Sequence, residues 1–190
     1  MTGKNFSANN LGQRRKSDFY ETPYSLTRLL LDRVSISGSV LEPACGDGAI
    51  VKVLRERGID PVAYDIRDGV DFLSEGRIFD VVITNPPFSI ASEFTHKAIS
   101  VASSDVFLLL PLSYLHGKGR HDGIYRRYCN LKTVYVFTRY PMLGDALRED
   151  GKHRTGMMVY AWFHFDMSFT GLPTVDWIDN DEFVLRRDTA

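Results

Sequence analysis

Short apolar runs alternate with segments of helical periodicity along most of this 190-residue chain. The apolar runs at 40–42, 61–66, 79–84 and 106–110 predict strands, with a further, very short one at 70–73, and residues 49–57 and 90–102 between them repeat apolar side chains at helical spacing. Thr22-Pro23 predicts the start of an earlier helix, with Thr22 as its N-cap and Pro23 in the first turn. Strands separated by helices are typical of a mostly parallel sheet that is covered on both faces. Three further apolar runs, at 131–137, 160–165 and after 171, lie close together and predict an antiparallel edge strand.

The composition is that of one globular domain. Hydrophobic residues make up 44% of the chain and charged residues 25%. The net charge of −1 excludes a strongly basic coat protein of nucleic acid, but it leaves room for an enzyme that binds nucleic acid through a local basic patch. We predict a flexible arm at 1–17 and one domain at 18–190, with short loop insertions at 112–130 and 140–155.

The sequence contains neither a membrane-targeting segment nor a cysteine pattern typical of disulfides or metal sites. No apolar run approaches the roughly 20 residues that span a bilayer, and the basic N-terminus lacks the apolar core of a signal peptide. The two cysteines, Cys45 and Cys129, are too few for a disulfide scaffold and do not form a metal-binding pair. We therefore expect a cytoplasmic protein without a metal site.

The loop after the first strand contains two glycines, Gly46 and Gly48. They allow a tight turn and a close approach of a ligand to the backbone. The third glycine of a dinucleotide motif and the Gly-Lys-Ser/Thr of a phosphate loop are absent, which favours a small, largely non-phosphorylated ligand. Asp65, about 20 residues further on, is placed to accept the hydroxyls of a ribose, or to cap a turn. Asp71-Phe72 adds a carboxylate and an aromatic face, with core packing as the alternative for Phe72.

The tetrapeptide Asn85-Pro86-Pro87-Phe88 directly follows an apolar strand. Two prolines make the turn rigid, so the side-chain carbonyl of Asn85 and the backbone carbonyl of Pro86 can point the same way. Two such acceptors would bind both N–H groups of one exocyclic amine, and Phe88 could stack on the ring that carries it. Holding the hydrogens out of the ring plane favours a pyramidal nitrogen, which is the better nucleophile.

These motifs, in this order, resemble those of the S-adenosylmethionine-dependent DNA adenine-N6 methyltransferases, especially the small phage-type members. Phe19-Tyr20-Glu21-Thr22-Pro23 is also similar to the N-terminal motif of the members whose cofactor-binding half comes first. The resemblance covers residues 18–165. It implies a Rossmann-like class I methyltransferase fold and transfer of a methyl group from S-adenosylmethionine to the N6 amine of adenine in DNA, with little or short sequence specificity.

The resemblance also implies roles for individual residues. Tyr20, Thr22 and Pro23 would border the methionine end of the cofactor, Asp65 would bind its ribose, and Ile66 and Phe72 would enclose its adenine. Asp71 would contact the amino group of that adenine. The catalytic set would be Asn85, Pro86, Pro87 and Phe88, with no general base. The full cofactor set would be Tyr20, Thr22, Pro23, Glu42, Pro43, Ala44, Cys45, Gly46, Asp65, Ile66, Asp71, Phe72 and Asn85.

Basic residues in the two loop insertions are candidates for a DNA surface beside Asn85. The target adenine would be flipped out of a duplex or presented in a single strand. Two alternatives remain: an amino methyltransferase acting on RNA or protein glutamine, and a catalytically silent binding module of the same fold. The candidate DNA-binding residues are Lys118, Arg120, Arg126, Arg127, Arg139, Lys152 and Arg154.

Overall fold

The computed structural model describes residues 22–138 and 158–180. The predicted arm at 1–17 and the candidate residues Tyr20, Arg139, Lys152 and Arg154 lie outside these ranges. The described residues form a seven-stranded sheet with the order β2-β1-β3-β4-β6-β5-β7. Its strands are β1 (Val40–Glu42), β2 (Val62–Ala63), β3 (Phe79–Thr84), β4 (Ala102–Pro111), β5 (Leu131–Phe137), β6 (Tyr160–Asp166) and β7 (Thr174–Ile178).

The sheet is mixed, and its antiparallel strand lies inside it. Strand β6 runs antiparallel to both β4 and β5, whereas the other pairs are parallel. The prediction of an antiparallel edge strand was therefore wrong in its position. Trp162, Phe163 and Phe165 of β6 are completely buried and could not occupy an edge. The edge is instead β7, which pairs parallel to β5 and carries the exposed Trp177.

Helices cover both faces of the sheet, as expected. Helices α1 (Tyr24–Leu31) and α2 (Ala49–Glu56) pack on one face, where Leu26, Leu30 and Leu54 are fully buried. Helix α3 (Ala91–Val101) packs on the opposite face through Phe94 and Ala98. A helical segment, α4, follows β4 on the same face as α3 and consists of Lys118–Arg120, a π-helical turn at His121–Tyr125, and Arg126–Tyr128.

Local side-chain hydrogen bonds shorten two predicted strands. The strand predicted from Pro61 to Ile66 is only Val62–Ala63, because the Asp65 carboxylate caps a 3₁₀ turn at Ile66–Asp68. The short strand predicted at 70–73 is a 3₁₀ turn at Phe72–Ser74, capped by Asp71. Such bonds offer the backbone an alternative to strand pairing.

The start of α1 also differs from its prediction. Thr22 was predicted as the N-cap with Pro23 in the first turn, but Pro23 is the N-cap and its side chain forms no capping hydrogen bond. The Thr22 hydroxyl instead accepts a hydrogen bond from Asn85 Nδ2 at 3.0 Å.

The parallel strands place their carboxyl ends along one edge of the sheet. This carboxyl edge carries the loops after β1, β3 and β4, and also the start of β6, since Tyr160 pairs with Pro111. None of the described helices combines the length and the apolar character needed to cross a membrane.

Candidate active site

A cavity of about 170 Å³ opens at the carboxyl edge, where the loops after β1, β2 and β3 meet. It brings together Asp65 and Asn85, two residues that the sequence analysis assigns to different halves of the reaction. Pro23, Glu42 and Phe88 do not form part of its wall. The predicted residues that do are Thr22, Pro43, Ala44, Cys45, Gly46, Asp65, Ile66, Asp71, Phe72, Asn85, Pro86 and Pro87.

The glycine loop between β1 and α2 depends on left-handed backbone. Gly46 has a φ of 54° and Gly48, the N-cap of α2, a φ of 85°. The Cys45 N–H donates to the Tyr64 carbonyl at 3.1 Å, which ties the loop to the end of β2. The loop therefore forms a fixed wall of the cavity.

Asp65 holds the glycine loop and the turn after β2 together. Its Oδ2 accepts a hydrogen bond from the Gly46 N–H at 3.0 Å, and its Oδ1 accepts from the Arg67 N–H at 2.9 Å and from Arg67 Nε at 3.0 Å. Burial opposes ionisation of Asp65, but the hydrogen bonds from Arg67 and Gly46 outweigh it and keep the pKa of the carboxyl below its ordinary value. The cavity wall thus carries a negative charge at neutral pH.

Asp71 and Phe72 each have a structural partner besides the cavity. Asp71 Oδ1 accepts from the Leu73 N–H at 2.9 Å. The Phe72 ring is 2% exposed and packs against Phe94, with ring centroids 4.9 Å apart. The Phe72 ring therefore belongs both to the core and to the cavity wall, and its contact with a cofactor stays a prediction.

Glu42 lies behind the cavity wall, at the end of β1. Its side chain is completely buried, and its Oε1 accepts a hydrogen bond from the Ala44 N–H at 3.0 Å. Burial raises the pKa of Glu42 to about 8, and the neighbouring Thr84 and Ala44 offset only part of that effect. Glu42 was predicted to line the cofactor site; it is not part of the cavity wall and supports the loop that forms part of that wall.

The turn after β3 is held from two sides. Asn85 Nδ2 donates to Thr22 Oγ1 at 3.0 Å, and the Ile90 N–H donates to the Pro87 carbonyl at 3.2 Å. Phe88 is half-buried and packs near Tyr160 of β6, with ring centroids 5.5 Å apart. Phe88 therefore lies on the β6 side of the turn and Asn85 on the side of the glycine loop.

Two of the predicted DNA-binding side chains form contacts within α4 or with the segment before it, which contains a 3₁₀ turn at Leu112–Leu115. Lys118 Nζ pairs with Asp122 at 2.5 Å. Arg120 donates to the carbonyls of Tyr114 and His116 and lies over the Tyr114 ring. Both contacts compete with phosphate binding.

Arg126 and Arg127 are exposed but lie at the wrong end of α4 for the predicted role. They were expected beside Asn85 at the carboxyl edge. Strand β5 runs in the same direction as β4, because both are antiparallel to β6, so β5 begins at the opposite, amino edge of the sheet. The two arginines come only a few residues before Leu131, the start of β5, which places them towards the amino edge.

An acidic cluster near the amino edge was not foreseen from the sequence. Asp105, His164 and Asp166 have ligand-type atoms within 4.8 Å of one another. His164 Nε2 lies 2.6 Å from Asp105 Oδ1, and Lys132 Nζ lies 2.8 Å from Asp166 Oδ2. Because Lys132 already supplies positive charge here, we assign the cluster to the pairing of β4, β5 and β6.

Several residues of the cavity wall were not predicted from the sequence. Arg67 is the most informative, because its guanidinium bridges Asp65 and Asp47, with Nη1 3.1 Å from Asp47 Oδ1. A basic residue two positions after a predicted ligand-binding carboxylate was the available signal. Apolar positions such as Ile50 and Phe94 carry no signal beyond core packing. The missed residues are Asp47, Ala49, Ile50, Arg67, Val70, Ile90 and Phe94.

One curated protein of established class is similar to part of the sequence. The type II methyltransferase M.TthHB8I of Thermus thermophilus is 37% identical over 100 residues, which span 43% of this chain and 23% of that protein. The chain thus matches less than a quarter of the length of this relative. No family model matches the chain.

Solved structures share the fold at low sequence identity. A modification subunit classed with type I restriction enzymes, from Vibrio vulnificus, has a TM-score of 0.55 and 16% identity, covering 86% of this chain and 48% of the subunit. A protein classed as an RNA methyltransferase, from Pyrococcus horikoshii, has a TM-score of 0.56 and 14% identity, covering 79% and 87% of the two chains. A protein classed as a class I S-adenosylmethionine-dependent methyltransferase, from Listeria monocytogenes, has a TM-score of 0.53 and 14% identity, covering 85% and 66%. Part of the sequence is thus similar to a type II methyltransferase, and the chain has the class I methyltransferase fold.

Proposed function

We propose that this chain transfers a methyl group from S-adenosylmethionine to the N6 amine of adenine in DNA. The observation that carries the proposal is that Asn85, Pro86 and Pro87 share one cavity with Asp65 and the glycine loop. In this proposal, the residues that would bind the target amine lie in the same cavity as those that would bind the nucleoside of the cofactor. The type II methyltransferase that is similar to this chain supports DNA as the substrate.

The cavity fits the nucleoside part of the proposed cofactor. Asp65 is held ionised and faces the cavity, where it can accept hydrogen bonds from ribose hydroxyls. Ile66 and Phe72 supply apolar surface for a purine, and Asp71 stands beside Phe72 as an acceptor for an amino group. Thr22 and the loop Pro43–Gly46 would hold the amino-acid end. When bound, S-adenosylmethionine supplies an electrophilic methyl group on a positively charged sulfur.

The protein's own contribution to the reaction is the turn after β3. The Asn85 side-chain oxygen and the Pro86 carbonyl accept the two hydrogens of the target amine, which favours a pyramidal nitrogen with an available lone pair. Phe88 lies beyond the cavity wall, on the side of Tyr160, where its half-exposed ring can stack on the target base. The excess proton leaves from the cationic nitrogen after transfer, so no general base is required.

A transfer assay with methyl-labelled S-adenosylmethionine tests the proposal. The protein is incubated separately with single-stranded DNA, duplex DNA, RNA and a protein extract, and labelled nucleic acid is digested to nucleosides. We expect the label in DNA as N6-methyladenine. The Asn85→Ala variant should lose about 100-fold or more in rate, in the range found when one preorganised polar group is removed from a transition state.

Ser113→Ala is the matched control for that variant. Ser113 is exposed and lies just beyond β4 at the same edge of the sheet. The Ser113→Ala variant should retain the wild-type rate of methyl transfer. Label in RNA or in protein glutamine would reassign the substrate, and cofactor binding without transfer to any of the four substrates would overturn the enzymatic proposal in favour of a binding module.

A further inference from the structure

A buried carboxylic acid lies directly behind the wall of the cavity. Glu42 is the last residue of β1, and its side chain is completely buried. Its Oε1 accepts a hydrogen bond from the Ala44 N–H, whereas its Oε2 has no hydrogen-bond partner within residues 22–138 and 158–180. A negative charge on this carboxyl would be poorly compensated. Glu42 therefore keeps its proton at neutral pH, in agreement with its pKa of about 8.

Glu42 responds to charge in the cavity wall. Besides burial, repulsion by the carboxylate of Asp65 raises the pKa of Glu42, and Asp65 lines the cavity. Burial and the charge of Glu42 in turn raise the pKa of the Cys45 thiol in the glycine loop. Asp65 is already ionised and Cys45 stays protonated at neutral pH, so Glu42 is the member of this group that changes its charge near pH 8.

The cofactor brings the opposite charge into this cavity. S-adenosylmethionine carries a sulfonium, an ammonium and a carboxylate, and hence one net positive charge. S-adenosylhomocysteine, which remains after methyl transfer, has lost the sulfonium charge and is neutral overall. Because a negative charge in the wall opposes loss of the Glu42 proton, a positive charge in the cavity favours it. Screening is weak, since Glu42 is completely buried and is hydrogen-bonded to Ala44 of the wall.

We propose that the binding of S-adenosylmethionine is coupled to release of the Glu42 proton to solvent, and that the proton returns once the methyl group has been transferred. The inference rests on the function proposed above. It makes the cavity select the methyl donor over the demethylated product by charge, and this selection increases with pH. Contact between Glu42 and the cofactor is not required, because the interaction acts across the wall.

Calorimetric titration of the wild-type protein counts the protons. The heat of binding is measured at pH 7 in two buffers with different ionisation enthalpies, phosphate and Tris, and the difference gives the number of protons exchanged. We expect S-adenosylmethionine to release about half a proton more per molecule bound than S-adenosylhomocysteine does. The comparison cancels the titration of the amino group that both compounds share. Equal proton release by the two compounds would overturn the proposal.

The variant Glu42→Gln removes the proton and keeps the shape of the side chain. Its amide oxygen can still accept the hydrogen bond from the Ala44 N–H. In wild type, the ratio of the Kd for S-adenosylhomocysteine to the Kd for S-adenosylmethionine should rise about 10-fold between pH 6.5 and pH 8.5. In Glu42→Gln this ratio should stay within about 2-fold. The variant Glu93→Gln, which changes an exposed carboxylate on α3, should show the wild-type rise.

The outcomes separate this inference from the proposed function. If S-adenosylmethionine does not bind to wild type, both fail. If it binds without methylating any substrate, the proposed function fails, and the proton count still decides the coupling. If the ratio of the two Kd values rises equally in wild type and in Glu42→Gln, only the role of Glu42 fails. Should Glu42→Gln not fold, the calorimetric comparison on wild type decides the coupling without it.

Discussion

Asp65 caps a turn and also lines the cavity. Each oxygen of an ionised carboxylate can accept about two hydrogen bonds. Oδ2 accepts one from Gly46, so it retains capacity for a ligand hydroxyl, whereas Oδ1 already accepts two from Arg67. The role of Asp65 as a turn cap is therefore compatible with its proposed role as a ribose ligand, and Oδ2 is the oxygen with the larger remaining capacity to accept a hydrogen bond.

Glu42 should make the stability of the fold depend on pH. Its pKa is about 8 in the folded chain against an ordinary 4.5. Between these values the folded chain keeps a proton that the unfolded chain has lost, so raising the pH favours unfolding. Because of Glu42, the free energy of unfolding falls by up to about 1.4 kcal/mol for each pH unit in this range. Above pH 8 this loss does not grow further. Chemical unfolding at pH 5 to 8 should show a shallower loss of stability for Glu42→Gln than for wild type.

The exposed Glu93 provides the control for the loss of a carboxylate. The stability of Glu93→Gln should depend on pH in the same way as that of wild type. If the free energy of unfolding depended on pH in the same way in wild type and in Glu42→Gln, the buried carboxyl would not retain its proton.

At the level of elements, the sequence predicts best where apolar pattern and burial coincide. Strands β3 and β5 have the predicted bounds, because they are buried almost throughout. The turns at Ile66–Asp68 and Phe72–Ser74 escaped prediction because a capping carboxylate, invisible to periodicity, decides their conformation. The carboxylates and the rigid turn of the site were predictable because they follow strands directly.

Contacts between distant segments could not be predicted in this way. The hydrogen bond between Thr22 and Asn85 and the internal position of β6 both depend on how the elements pack. A single sequence indicates candidate site residues more clearly than it indicates which of them are in contact.

The glycine loop gives a prediction at the same scale. Gly48 has a φ of 85°, and a Cβ added there would meet no atom within 4 Å. Gly48→Ala should therefore cost only the strain of left-handed backbone, about 1 kcal/mol of unfolding free energy. Gly76 is equally open but does not have this backbone conformation, so Gly76→Ala should be neutral or slightly stabilising. Denaturant unfolding measures the free energy of unfolding of both variants. An equal change in the two variants would contradict the prediction.

At the level of the whole molecule, the two edges of the sheet separate the chemistry from the rest of the surface. The cavity, the turn after β3 and the start of β6 are at the carboxyl edge, whereas the Asp105 cluster and the end of α4 lie towards the amino edge. A DNA strand that reaches Asn85 must approach the carboxyl edge. The strands that flank residues 139–157 end at Phe137 and begin at Tyr160, both at this edge.

This separation predicts which basic residues bind DNA. We propose that Arg139, Lys152 and Arg154 bind phosphates, and we expect their combined replacement by alanine to raise the KM for DNA. The slope of log affinity against log salt concentration should become shallower by about one for each phosphate-binding side chain that is removed. The double variant Arg126→Ala, Arg127→Ala removes exposed charge near the amino edge. It should leave the KM for DNA and the salt slope unchanged. Binding measured across a salt series compares the two sets directly. A shallower slope for the Arg126 and Arg127 pair alone would place the DNA along α4, because the slope reports the number of phosphates that the protein neutralises, wherever they lie on its surface.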